Sequence, residues 1–243
     1  MRKLILFFLM LCFAIPAHSE EKVVLATLDW EPYIGQSLKD KGYVAVIVEE
    51  AFKRAGITVE LQFHQWTRVV GLAKSGKVDG YFPEYYADAV KAYATFSDPM
   101  PGGPLGFFKL TGKKIAYNTL DDLKGLKIGT VKGYVNTTEF DQATFLTKDP
   151  AKDDLTNFKK LTAGWIDLLV ADKFVGLNLL KTQLPDKAAS VEFMAKPLEE
   201  KNLFVCLSRK GKNAARFTEA FNRGLEEMKS DGTLEKIIKD YGF

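Results

Sequence analysis

The sequence predicts an α/β protein of two lobes, each a mostly parallel sheet with flanking helices. Three observations predict it. Strand-like and helix-like runs alternate from Val23 onward, which implies βαβ units. Each half of the chain repeats the order strand, helix, strand, helix, strand. Between the halves lies Pro99-Met100-Pro101-Gly102-Gly103-Pro104, too stiff and too glycine-rich for the interior of an element. With 243 residues and 47% apolar content, the chain can bury one good core or two modest ones.

The first residues read as an export leader. Arg2 and Lys3 give a basic start, 4–15 is apolar, and Pro16-Ala17-His18-Ser19 ends in small residues of the kind a signal peptidase reads. The apolar run is shorter than the roughly 20 residues that a membrane helix needs. Cleavage is expected after Ser19, with a periplasmic destination. No small residue precedes Cys12, so a lipid anchor is not expected. Loss of the leader takes two positive charges from a net charge of +3, leaving a nearly neutral chain. That balance gives no reason to expect nucleic acid or an acidic membrane as a partner.

Cys206 is then the one cysteine left, inside an apolar run, so stability must come from the core and not from a disulfide. His64 is the one remaining histidine. The chain has no His/Cys cluster with metal-ligand spacing, so neither a metal nor a cofactor is expected.

Val23 to Thr27 is a strand candidate, and Pro32 and Gly35 force the following Leu28-Asp29-Trp30-Glu31-Pro32-Tyr33 into a loop. Tyr43 to Ala55 has a helical apolar face closed by Gly56, and Ile57 to Phe63 alternates as a strand does. A helix then opens at Trp66 and stops at Ser75-Gly76. The short apolar run Val78 to Phe82, with Tyr81 in it, leads into a loop carrying Pro83, Glu84, Tyr85 and Tyr86. Such a loop lies at the carboxyl end of a parallel strand, where open α/β sheets bind their ligands; it is equally the place of an ordinary surface loop.

In the second half, Leu105 to Leu110 and Lys127 to Val131 read as strands. The loop Gly133-Tyr134-Val135-Asn136 follows and opens a helix near Thr137, whose free N–H groups suit an anion if this is more than a βα turn. Asp153 to Ala163 reads as a helix, Asp167 to Ala171 as a buried strand ending at Asp172, and Lys173 to Leu184 as a helix. Asp172 at that junction is placed either to cap the helix or to face a ligand. Short strands over Val191 to Met194 and Leu203 to Ser208 precede two closing helices, Asn213 to Ser230 and Thr233 to Tyr241.

Five runs in order, Trp66-Thr67-Arg68, Gly76-Lys77-Val78-Asp79-Gly80, Phe96-Ser97-Asp98-Pro99, 122–129 with its Leu-Lys-Gly-Leu-Lys-Ile-Gly, and Gly164-Trp165-Ile166-Asp167 leading to Asp172, carry a resemblance. The chain resembles the family 3 extracellular solute-binding proteins, the periplasmic receptors of polar amino acid ABC importers. The resemblance implies a type II periplasmic-binding-protein-like fold, with 20–105 and 200–243 in the first lobe and 106–199 in the second. It also implies a small-molecule solute, a membrane permease as partner, and a monomer. Trp30 and Tyr33 match the family's ligand-stacking aromatics, Gly133 to Asn136 its backbone donors, and Asp172 its receptor for the α-ammonium. Where the family has an arginine for the α-carboxylate, this chain has Val90 and Lys91. Arg68 is therefore expected to hold a carboxylate, with Glu84 and Asp172 on the positive end of the solute. Trp66, Tyr81 and Tyr85 complete the expected binding set. The alternatives are an exported cyclohexadienyl dehydratase-like enzyme using a carboxylic acid as general acid, and an orphan sensory binder.

Overall fold

The computed structural model describes residues 21–243, and the leader with its cleavage site lies outside them. The first part of the chain runs β1 (Glu21–Thr27), α1 (Tyr43–Arg54), β2 (Ile57–Phe63), α2 (Trp66–Ser75), β3 (Gly80–Glu84) and β4 (Ala94–Phe96). The middle runs β5 (Pro104–Leu110), β6 (Lys127–Val131), α3 (Thr138–Gln142), β7 (Thr147–Ala151), α4 (Asp154–Thr162), β8 (Leu168–Asp172), α5 (Lys173–Gln183), β9 (Val191–Phe193) and β10 (Glu199–Glu200). The chain then closes with β11 (Phe204–Ser208), α6 (Ala214–Ser230) and α7 (Thr233–Asp240).

These strands form two sheets, in the orders β2-β1-β3-β11-β4 and β10-β5-β8-β6-β7, with β9 paired to β5. Both are parallel where βαβ units build them, β1 with β2 and β3, and β6 with β7 and β8. They are antiparallel where the chain crosses between lobes: β11 lies against β3 and β4, and β5 against β8, β9 and β10. The mostly parallel sheets expected from the sequence are thus mixed, because a strand that enters from the other lobe arrives running the opposite way.

The two crossings travel together. Met100 and Leu203 exchange backbone hydrogen bonds of 2.8 and 2.9 Å, and the Lys201 N–H donates to the Gly103 carbonyl at 2.9 Å. Gly103 has to be glycine, because a Cβ there would collide with the Tyr33 hydroxyl and the Phe174 ring. One large apolar cluster runs through both lobes, centred in the first on α1 packed against α6 through Phe52, Phe217 and Phe221.

Two differences from the sequence reading bear on the site. β3 runs from Gly80 to Glu84 and not from Val78 to Phe82, since Gly80 and Tyr81 pair with Leu25 and Ala26 of β1. Pro83 and Glu84 are therefore the buried end of a strand and not part of a loop. β7, which contains Pro150, has no strand-like pattern in the sequence; it forms as an edge strand, the position where proline costs no ladder hydrogen bond.

Candidate functional site

The carboxyl ends of β1, β3, β6 and β8 point into the cleft between the sheets, and the chain turns there place the side chains of the site. The loop after β1 brings in Leu28, Trp30 and Tyr33. Helix α2 starts at the cleft, with Trp66, Val69 and Ala73 on its buried face and the left-handed Gly76 ending it. The end of β3 supplies Glu84 and Tyr85; that of β6 supplies Gly133, Tyr134 and Val135.

Two cavities result. The inner one, about 30 Å³, is lined by Leu28, Trp30, Trp66, Pro83, Glu84, Tyr85, Tyr134, Val135 and Leu203. The outer one, about 560 Å³, shares Leu28, Trp30, Trp66 and Tyr134 with it and continues between the lobes past Asp29, Glu31, His64, Lys152, Asp153, Asp154 and Leu179. The shared rings are the wall between them. Trp66 and Tyr134 meet edge to face at 5.7 Å, and the Trp66 indole Nε1 donates to the Gly133 carbonyl at 2.8 Å, tying the first lobe to the second.

Glu84 is the polar group of the inner cavity. It is 4% exposed, accepts from the Tyr81 hydroxyl at 3.0 Å and from the Tyr85 backbone N–H at 2.9 Å, and makes no ion pair among the described residues. Burial pushes its carboxyl up to about 8 against the pull of those hydrogen bonds. Asp154, at the first position of α4, is likewise buried and without an ion pair among the described residues. It accepts from the Tyr134 hydroxyl at 3.3 Å and faces the Trp30 indole, and burial pushes its carboxyl up to about 7.

Of the two roles expected for Asp172, helix cap or ligand contact, the structure shows the cap and adds a contact between the lobes. Its Oδ1 accepts from the N–H groups of Phe174 and Val175 at 2.8 and 3.1 Å, capping α5. Its Oδ2 accepts from the hydroxyls of Tyr33 and Tyr85, both at 3.0 Å and both from the other lobe. Four donors fill a carboxylate's capacity, so in this arrangement Asp172 fastens the lobes together and lines neither cavity. Tyr33 belongs to the same fastening, stacked on Trp30 at 4.9 Å.

Other expectations are also corrected. Arg68 is exposed and lines neither cavity. It follows Trp66 by two helical positions, about 200° around the axis, so a helix that turns Trp66 inward turns Arg68 out. Lys91, the substitute cation, is bound to Asp88 at 2.9 Å on the surface. Two of the four backbone donors of 133–136 are used at home, the Tyr134 N–H to the Val131 carbonyl at 3.1 Å and the Asn136 N–H to Asp141 at 2.9 Å, and the Asn136 Nδ2 also donates to Asp141 at 2.9 Å. Tyr81 stands behind Glu84 as its hydrogen-bond donor and does not line a cavity. The structure brings Trp30, Trp66, Glu84, Tyr85, Tyr134 and Val135 together around the inner cavity. Sequence reasoning missed Asp154; the pair Asp153-Asp154 at a helix start was its signal, since one carboxylate suffices as the cap and Asp153 takes that part with the Thr156 N–H at 2.8 Å.

Comparison with known proteins agrees with this architecture. The chain is 25% identical over 210 residues to the L-cystine-binding protein TcyJ of Escherichia coli (strain K12), covering 85% of this chain and 76% of that protein. It is 25% identical over 208 residues to the lysine/arginine/ornithine-binding periplasmic protein of the same organism, covering 82% and 78%. Among solved structures, an ancestral arginine-binding protein bound to arginine superposes with a TM-score of 0.76 at 24% identity, over 93% of this chain and all of that one (100%). A histidine kinase sensor domain with similarity to periplasmic binding proteins superposes with a TM-score of 0.78 at 18% identity, over 92% and 97%. Residues 23–243 match a single family along their whole length, and the chain belongs to the bacterial extracellular solute-binding proteins, family 3.

Proposed function

We propose that this family 3 receptor serves an ABC importer in the periplasm, as a monomer, by binding a small cationic, amino-acid-like solute between its lobes and delivering it to a membrane permease. One observation carries the choice of solute: the inner cavity joins four aromatic rings to the buried, unpaired carboxylate of Glu84, and no arginine or lysine lines it. Aromatic faces attract an ammonium or guanidinium group, and a cation beside the buried Glu84 favours its ionised form, whereas an anion is repelled by both. The two Escherichia coli relatives, named for L-cystine and for lysine, arginine and ornithine, support an amino-acid-like solute.

Calorimetry of the purified protein with arginine, lysine, ornithine, cystine and glutamate tests this reading. The basic amino acids are expected to bind and glutamate is not; tightest binding to glutamate overturns it. Mass spectrometry of whatever co-purifies narrows the solute further.

A second reading, an exported dehydratase, draws on Glu84 itself, because a carboxyl pushed up to about 8 stays protonated at neutral pH and can act as a general acid. The cyclohexadienyl acids such an enzyme acts on are anions, and the cavity that Glu84 faces has no cation to hold them. Binding is therefore the reading favoured over catalysis.

A further inference from the structure

The two cavities differ in size in a way that constrains the solute. About 30 Å³ on the inner side is room for only one or two groups the size of a water molecule, enough for a cationic head and no more. The outer cavity, at about 560 Å³, has the volume usual for a whole small-molecule site. Residues of both lobes enclose it, Asp29 and His64 from the first and Asp154 and Leu179 from the second, so closure of the lobes builds it. A solute whose head is inside must have its body outside.

The outer cavity also has a charge preference. Asp29, Glu31, Asp153 and Asp154 line it against the single lysine Lys152. Three of these carboxylates have visible local occupations: Asp29 holds Gln36, Glu31 holds Ser37, and Asp153 caps α4 beside Lys152. Asp154 differs. It is 5% exposed, and its partners, the Tyr134 hydroxyl and the Trp30 indole, are neutral and belong to the very rings that separate the two cavities. A buried carboxylate with neutral donors alone is costly unless a cation arrives to pair with it. Glu84 stands in the same condition on the other side of those rings. Phe63, Leu155 and Leu179 supply apolar wall in the outer cavity, suited to a methylene chain.

We propose that the receptor selects a solute with two cationic ends, a linear diamine or polyamine, with one end at Glu84 and the other at Asp154. This inference rests on the reading of the site as a receptor for cations and adds to it the second anchor. Asp154 is on this account a specificity-determining residue: its role is to distinguish two-headed from one-headed amines.

The test compares putrescine, cadaverine and spermidine with butylamine and pentylamine by calorimetry on the full protein. A charge-assisted contact to a buried carboxylate predicts that each two-headed amine binds about tenfold or more tighter than its one-headed counterpart. Asp154→Asn is expected to abolish that advantage and leave monoamine binding in place, while Asp153→Asn, which preserves the helix cap, leaves the advantage intact. The wild-type comparison needs no variant, so a misfolded Asp154→Asn protein does not shield the inference. Equal affinity for diamines and monoamines overturns the second anchor and leaves the cationic reading standing. No heat with any amine, alongside binding of a neutral or anionic solute, overturns both.

Discussion

Three buried carboxyls face the cleft or fasten it: Glu84, pushed up to about 8, Asp154, to about 7, and Asp172, to about 6, each chiefly by burial. Unfolding returns them to the ordinary carboxyl range near about 4. Between those values the folded chain holds protons that the unfolded chain has lost. Their contribution to stability is therefore fully present below about pH 4 and disappears as pH rises through 6, 7 and 8. Asp231, held down to about 2 by hydrogen bonds from Thr233 and Arg54, acts the other way and only in acid. The melting temperature without solute is thus expected to fall as pH rises from about 5 to about 9, while affinity for a cation, which pairs with the ionised forms, rises. Thermal scans across that range check the first part, and Glu84→Gln should flatten its upper end. A melting temperature that rises steadily with pH would count against neutral carboxyls in the cleft. The groups around them are consistent with this: Tyr81 and the Tyr85 N–H at Glu84, with Lys201 and Lys74 further off, and Tyr134, Trp30, Asp153 and Asp172 about Asp154.

Helix α2 shows how an element divides its residues between function and solvent. Its buried face, Trp66, Val69 and Ala73, follows from helical periodicity, and that face places Trp66 in the wall of both cavities. The same periodicity sends Arg68 outward. Arg68→Ala is accordingly expected to leave affinity for a basic amino acid within about twofold, as changes to exposed charges usually do. Trp66→Ala removes a buried ring and its bond to Gly133, and is expected to cost about 3–5 kcal/mol of stability and most of the binding. Titration of both variants decides the matter: a large loss in the arginine variant would return that residue to the site. The closing element contacts work on the same scale, since Gly103 keeps the crossing thin enough for Tyr33 and Phe174 to pass beside it.

At the scale of the whole molecule, the lobes meet through a small set of polar contacts. Tyr33 and Tyr85 donate to Asp172, Trp66 donates to Gly133, and all three reach from the first lobe to the second. Two-lobed binding proteins close by hinge motion about their crossings. The paired backbone of Met100 and Leu203 is where such a hinge is expected here, with the tyrosines as its latch. The paired change Tyr33→Phe with Tyr85→Phe leaves Asp172 with half its donors and is expected to shift the lobes toward an open form. Small-angle scattering of the solute-free protein should then give a larger radius of gyration for the variant than for the wild type, with saturating solute bringing the two together. Identical radii without solute would show that the tyrosines do not govern closure.

Apart from the edge strand β7 and the short strands β4 and β10, the sequence by itself determined most of the order of strands and helices and the places where strands end at a cleft. These are local properties: apolar periodicity, caps such as Asp153 and Thr137, and terminating glycines such as Gly76 act within a few residues of the chain. All four rings that line the inner cavity, Trp30, Trp66, Tyr85 and Tyr134, and Glu84 with them, were legible as candidates, because residues near a strand's carboxyl end lie near the cleft. Only the tertiary structure decided what each polar group does there. Asp172 carries the same local signal whether it caps a helix, holds a solute or fastens two lobes, and the hydroxyls that choose among these come from 139 and 87 positions away. Asp154 became a candidate for the same reason: its burial depends on Trp30 and Tyr134, which reach it from the other lobe and from the end of β6. Backbone pattern is written over short stretches of sequence, whereas the charge state and vacancy of a carboxylate depend on what the fold packs around it.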